Sequence, residues 1–125
     1  MTTSNRQPSA RGRFSAVRVV PLGASKMLFI SGVTSGREAA ADIAEQSRVI
    51  FRHIGELIAK EGGGLEHLVK ITAFLTDMSE YAAYNAVRNE IFAQQPNPPA
   101  SATVGTTALV RPEFRIEIEG IAVIP

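Results

Sequence analysis

The run from Phe114 to Ile124, FRIEIEGIAVI, constrains this chain more than any other stretch. Strand alternation puts Ile116, Ile118, Ala122 and Ile124 on one face and Arg115, Glu117, Glu119, Ile121 and Val123 on the other. The first face is apolar throughout and belongs against a core. The second begins charged and ends apolar. An exposed face has no need of Ile121 and Val123, and a dry core does not accept two carboxylates without partners. The second face is therefore expected to be covered by something that carries polar groups or water. In a chain of 125 residues the natural cover is another subunit. Upstream, Ala102 to Val110 forms a second β-rich run, and Arg111-Pro112-Glu113 interrupts the pattern, which predicts two strands joined by a short connection.

The remaining elements follow from periodicity. Residues 1–11 are polar, with almost nothing to bury, and are expected to be a flexible tail ahead of a single domain spanning 12–125. Phe14 to Leu22 and Met27 to Val33 read as a hairpin about a turn at Gly23-Ala24-Ser25-Lys26. A helix is expected from about Ala40 to Glu61. Ile43, Ile50, Ile54, Leu57 and Ile58 are its buried stripe, Arg48, Arg52, Glu56 and Lys60 its solvated face, and Gly62-Gly63-Gly64 its stop. Leu68 to Thr76 alternates Val69, Ile71, Ala73 and Leu75 against Lys70, Thr72 and Phe74 as a third strand. Asp77 and Glu80 have capping-box spacing ahead of a second helix with Tyr84, Val87, Ile91 and Phe92 buried. Pro96, Pro98 and Pro99 then stiffen the approach to the last two strands. The order ββαβαββ predicts an α/β fold, a mixed sheet with both helices on one face and the other face left for solvent or a second chain.

Several function classes are disfavoured at this stage. A net charge of +1 leaves no electrostatic footprint for nucleic acid or an anionic membrane. Cysteine is absent, which removes disulfides, thiolate nucleophiles and cysteine metal sites. His53 and His67 lie on different elements without ligand spacing, so neither a metal nor another cofactor is expected. No apolar run has the length of a membrane span and no secretion-type h-region is present, so the expectation is a soluble, cytoplasmic protein.

A set of motifs carries a resemblance. Phe29-Ile30-Ser31-Gly32, Val69 through Met78 (VKITAFLTDM), Tyr84-Asn85-Ala86-Val87, Pro98-Pro99-Ala100 and Ile116 through Val123 (IEIEGIAV) together resemble the Rid family of reactive-intermediate deaminases. These are also called YjgF-like proteins and, by an older label, liver perchloric-acid-soluble (L-PSP) ribonucleases. The resemblance implies a chorismate-mutase-like fold, a homotrimer, and small-molecule clefts at the subunit boundaries. It also exposes departures. In deaminating members an arginine follows the Pro-Ala of the linker and holds the substrate carboxylate, whereas this chain has Ser101. The family's N-terminal tyrosine aligns with Phe14, a glutamine with Val33, and a proline with Arg13.

The candidate site is therefore Glu117 as the catalytic residue that orders the water, with Ser31, Gly32, Asn85 and Thr103 retained and Phe14, Val33, Ser101 and Arg13 altered. Each has a plainer reading. Ser31-Gly32 allows close backbone approach, Asn85 serves a tertiary hydrogen bond, Thr103 is an ordinary strand residue, and Arg13 ends the solvated tail. For Glu117 the plainer reading is an intersubunit salt bridge with Arg115 or Lys70. Two functions follow: a hydrolase acting on a small imine, enamine or related metabolite of non-standard type, or a non-catalytic small-molecule-binding trimer. The older ribonuclease label finds no basic stripe and no paired histidines here. With Ser101, Phe14 and Val33 in place, the expected cleft is less polar and less positive than in deaminating members, and favours neutral or aromatic ligands over small carboxylates.

Overall fold

The computed structural model describes residues 12–37 and 42–125. Its strands are β1 (Val17–Leu22), β2 (Ser25–Val33), β3 (Leu68–Leu75), β4 (Ala100–Gly105) and β5 (Ile116–Ile124), and its helices are α1 (Ile43–Ala59) and α2 (Tyr81–Ile91). They form one sheet in the order β1-β2-β5-β3-β4, in which only the β3–β4 pair is parallel. The expected ββαβαββ order and mixed sheet are present. The expected flexible tail and the proposed helix start at Ala40 lie outside the described residues.

The central strand behaves as its alternation predicts. Ile116, Ile118, Gly120, Ala122 and Ile124 are buried, while Glu117, Ile121 and Val123 are only half-buried and Glu119 is exposed. The buried face meets Leu28 and Ile30 of β2, Ile71, Ala73 and Leu75 of β3, and the apolar stripes Ile43, Ile50, Ile54 and Ile58 of α1 and Tyr84 and Val87 of α2 in one core. Helix α1 begins where Asp42 accepts from the Glu45 backbone N–H, and ends as Gly62 takes φ +93° and the Gly63 N–H reaches back to the Ile58 carbonyl.

Four expectations are corrected. The connection between the last two strands is not short: β3 lies between them, and residues 106–115 cross from the edge of the sheet to its centre. The first of the two ends at Gly105, and Val110 is exposed. The crossing is tied down by buried Gln46, whose amide donates to the Glu113 carbonyl at 3.0 Å and accepts from the Arg115 N–H at 2.9 Å. Val69 does not join the buried face: the register against β5 shifts between Leu68 and Lys70, so Leu68 takes the inward place and Val69 is turned out. The Asp77-Glu80 pair forms no capping box. Asp77 caps a short 3-10 turn by accepting from Ser79, and Glu80 instead binds Arg115 at 2.8 Å. Finally, the hairpin turn narrows to Gly23-Ala24, with Gly23 at φ +61°.

Candidate functional site

Glu117 lies on the sheet face away from the helices. A second irregularity positions it: between Ile30 and Val33 the β2–β5 register slips, so Ser31 and Gly32 bulge out opposite β5. The glycine serves close approach of the Glu117 side chain, with no positive φ at this position. A Cβ at Gly32 would collide with the Glu117 carboxylate, standing 2.8 Å from its Cδ. Ser31 holds the incoming chain, since its hydroxyl donates to the Ser15 carbonyl at 2.7 Å and its N–H to the Ala16 carbonyl at 3.0 Å. Phe14, 71% exposed, and Arg13 stand beside Ser31 at the rim of an open-face concavity of about 540 Å³ that continues to Phe29, Lys70, Glu119 and Ile121.

Within the chain, the two cations named as salt-bridge partners of Glu117 across a subunit boundary have other partners. Arg115 is taken by Glu80, and Lys70 donates to Thr72 at 3.3 Å. Among the described residues no cation pairs with Glu117. Burial, and secondarily the charge of Glu119, push its pKa above the ordinary carboxylate value.

Asn85, Ser101 and Thr103 lie elsewhere. Ser101 is opposite Ile71 and Thr103 opposite Ala73, so both side chains are on the helix side of the edge strand β4. There α2 brings Arg88 over the ring of Tyr84, with 5.4 Å from guanidinium carbon to ring centre. Arg88 Nη1 donates to Ser101 Oγ at 3.4 Å, and Nη2 donates to the Asn85 and Asn89 carbonyl oxygens. Asn85 also accepts from the Tyr81 hydroxyl at 3.2 Å, so in place of the expected tertiary hydrogen bond its partners are side chains of its own helix. The Tyr84 hydroxyl is fully buried beside Ser101 and Arg88 and makes no hydrogen bond of good geometry; burial, only partly offset by Arg88, raises its pKa and keeps it a neutral phenol.

The expected site thus divides between two faces. Phe14, Arg13, Ser31, Gly32 and Glu117 stand on the open face around β2 and β5, and Asn85, Ser101 and Thr103 on the helix side at β4. Val33 joins neither group, because it is opposite Ile118 and packs against the core. Position 101 also has a positive charge beside it, since Arg88 lies against Ser101. Sequence reading missed Arg88 because it was counted as neither stripe nor motif. Its position four residues after Tyr84 and three after Asn85, on one helix face, was the available signal.

Among the described residues no three His, Asp or Glu side chains converge as a metal site, and no helix is long and apolar enough to cross a membrane. A sequence model of the endoribonuclease L-PSP family matches residues 4–124. The chain is 34% identical over 125 residues to Protein DfrA of Myxococcus xanthus, covering 96% of this chain and 92% of that one. It is 29% identical over 126 residues to the 2-iminobutanoate/2-iminopropanoate deaminase of Rattus norvegicus, covering 97% and 87%. Among solved structures, Rv2704 of Mycobacterium tuberculosis, a member of the YjgF/YER057c/UK114 family, matches with a TM-score of 0.74 at 28% identity, over 86% of this chain and 85% of that one. With its fold, its motifs and nearly its whole length matched, the chain belongs to the Rid/YjgF-like, or endoribonuclease L-PSP, family.

Proposed function

We propose that this protein is a homotrimeric hydrolase of a small imine or enamine, working in clefts between protomers. The observation that carries the reading is Glu117: a half-buried carboxylate held over Gly32, with no cation paired to it among the described residues, and with its pKa raised toward the range where a carboxylate is an effective base. In that role Glu117 takes a proton from water as the water oxygen attacks the imine carbon. Glu117 passes that proton to the nitrogen to give the carbinolamine, then takes the hydroxyl proton and delivers it to the nitrogen as the C–N bond breaks and the C=O bond forms, which releases ammonia and leaves Glu117 ionised. The deaminase relative from rat supports extending this class of reaction to the present chain.

The division of the site supports the assembly. Strands β5 and β4 are separated by β3, so their backbones are about 10 Å apart, and Glu117 and Ser101 project to opposite sides. One protomer cannot close both groups around one small molecule; two protomers can. The open face is also apolar where it needs a cover, with Phe29 42% exposed beside Ile121.

The test is release of ammonia from 2-iminobutanoate generated in solution, comparing the unaltered protein with Glu117→Gln. The expected loss is about 10² to 10⁴-fold, with unchanged circular dichroism. Equal rates in the two proteins would remove Glu117 from the chemistry. Saturable ligand binding without hydrolysis by the unaltered protein would favour the non-catalytic binding reading.

A further inference from the structure

We infer that the open-face concavity is a binding site for a small aryl phosphate, whose ring rests on Phe29 and Ile121 and whose phosphate is held among Arg13, Arg18 and Lys70. The inference goes beyond the hydrolase reading and draws on different side chains, since neither Glu117 nor Arg88 lines the concavity.

Strand register builds the site. Arg18 of β1 lies opposite Phe29 of β2, Phe29 opposite Ile121 of β5, and Ile121 opposite Lys70 of β3. The four residues therefore form one row across the sheet. The row is on the face away from the helices, because Val17 and Val19, on either side of Arg18, pack against the core. Three strand spacings set the backbones of Arg18 and Lys70 about 14 Å apart, with an aromatic ring and a branched aliphatic side chain as the floor between them. Phe29 is exposed there, an aromatic surface open to a second ring. Arg13 adds a third cation at the rim.

The charges are not cancelled from within. Among the described residues no carboxylate comes within ion-pair distance of Arg13, Arg18 or Lys70, and Lys70 donates to the neutral Thr72 hydroxyl at 3.3 Å. Among those residues Glu119, opposite Thr72, is the one acid in the lining, and it leaves two positive charges over. A chain whose net charge is only +1 thus gathers a local surplus at one concavity. A phosphate monoester at neutral pH carries about −1.5 to −2 charges on three acceptor oxygens, which matches that surplus, whereas a carboxylate supplies a single charge. Guanidinium forks and an ammonium are strong donors to such a group. The volume of about 540 Å³ is that of a small-ligand pocket.

The experiment is calorimetric titration of the full chain with phenyl phosphate, inorganic phosphate and phenol. Phenyl phosphate is expected to bind about tenfold or more tightly than either, because only it engages both the floor and the cations, and to weaken with added salt. Arg18→Gln, a change at an exposed position, should weaken phenyl phosphate about tenfold to a hundredfold while leaving phenol within about twofold. Arg18→Lys should restore part of the loss, since charge persists without the planar fork. Phe29→Ala should bring phenyl phosphate down toward inorganic phosphate. The inference is overturned if phenyl phosphate binds no more tightly than phenol or inorganic phosphate, as it would if a covering protomer filled the concavity. It is equally overturned if Arg18→Gln leaves the affinity unchanged, or if the loss follows Arg88→Gln instead. Tighter binding of an O-phosphotyrosyl peptide than of phenyl phosphate would overturn the assignment to a small molecule. The readout is binding alone, so these results stand whatever the catalytic assay gives.

Discussion

Among the described residues Glu117 on the open face has no cation paired with it and sits where burial and Glu119 disfavour its charge; Arg88 at the β4 edge has no carboxylate paired with it and is held by amides, a hydroxyl and a ring. Each region is locally unbalanced in the sense opposite to the other. A monomeric domain selected for stability alone would gain by pairing its charges internally, as Arg115 does with Glu80 and Lys26 with Glu61. The two unbalanced regions point away from each other across the sheet, so the charge left over in one chain is complementary to that left over in its neighbour. This imbalance is what the proposed sharing of a site between protomers would resolve.

The comparison is broken most severely by separating the protomers. Ile121→Asp places a charge in the middle of the apolar open face; light scattering is expected to give a monomer, and ammonia release is expected to vanish. Retained activity in a monomer would show that one chain suffices. Next, Gly32→Ala pushes the Glu117 carboxylate aside without touching its chemistry, and a displacement of about 1 Å costs about 10²-fold in rate, with light scattering still giving the trimer. An unchanged rate in that variant would show that the placement of Glu117 is not what the reaction needs.

A sharper test mixes inactive chains. Glu117→Gln and Arg88→Gln protomers, denatured and refolded together in equal amounts, place an intact Glu117 opposite an intact Arg88 in about a quarter of the clefts of a random symmetric trimer. Recovery toward about a quarter of full activity is expected if the two groups come from different chains, and none if both act within one.

Smaller effects concern protonation and packing. A protonated Glu117 cannot accept a proton, so the rate should rise with pH through a limb above the ordinary carboxylate range, and Glu119→Gln should move that limb down. The stability sign is opposite. Because the folded pKa is raised, the folded form holds the proton more tightly, and stability falls as pH rises from the ordinary value of 4.5 through the raised one. Glu117→Gln should therefore be more stable than the unaltered protein at neutral pH while losing activity, as denaturant titration would show. The smallest effect is expected at Tyr84→Phe, where removal of an unpaired hydroxyl should change stability by less than about 1 kcal/mol. A larger loss would mean that the hydroxyl is already satisfied in the unliganded protein.

Much of this was readable in the chain. The alternation of Ile116, Ile118, Ala122 and Ile124 against Glu117, Ile121 and Val123 determined a strand with one core face and one face in need of a cover, because side-chain direction in a strand depends only on parity. The stripes of α1 and α2 and the stop at Gly62 followed from helical period and from the cost of positive φ. Parity also explains where the reading failed. A single extra residue reverses it, as at Val69 in β3 and at Ser31-Gly32 in β2, and no local signal announces a bulge. Strand adjacency was likewise beyond the sequence: two runs interrupted at Arg111-Pro112-Glu113 predict a short connection, whereas β3 takes the place between them. The site was the least legible part. Glu117 could be singled out from its face, but only packing shows that it lacks a cation, and only the approach of α2 to β4 brings Arg88 against Ser101, 13 residues away in the chain. Composition and period record what each residue tends to bury; which charges meet, and which are left for another molecule, is decided by how distant elements are brought together.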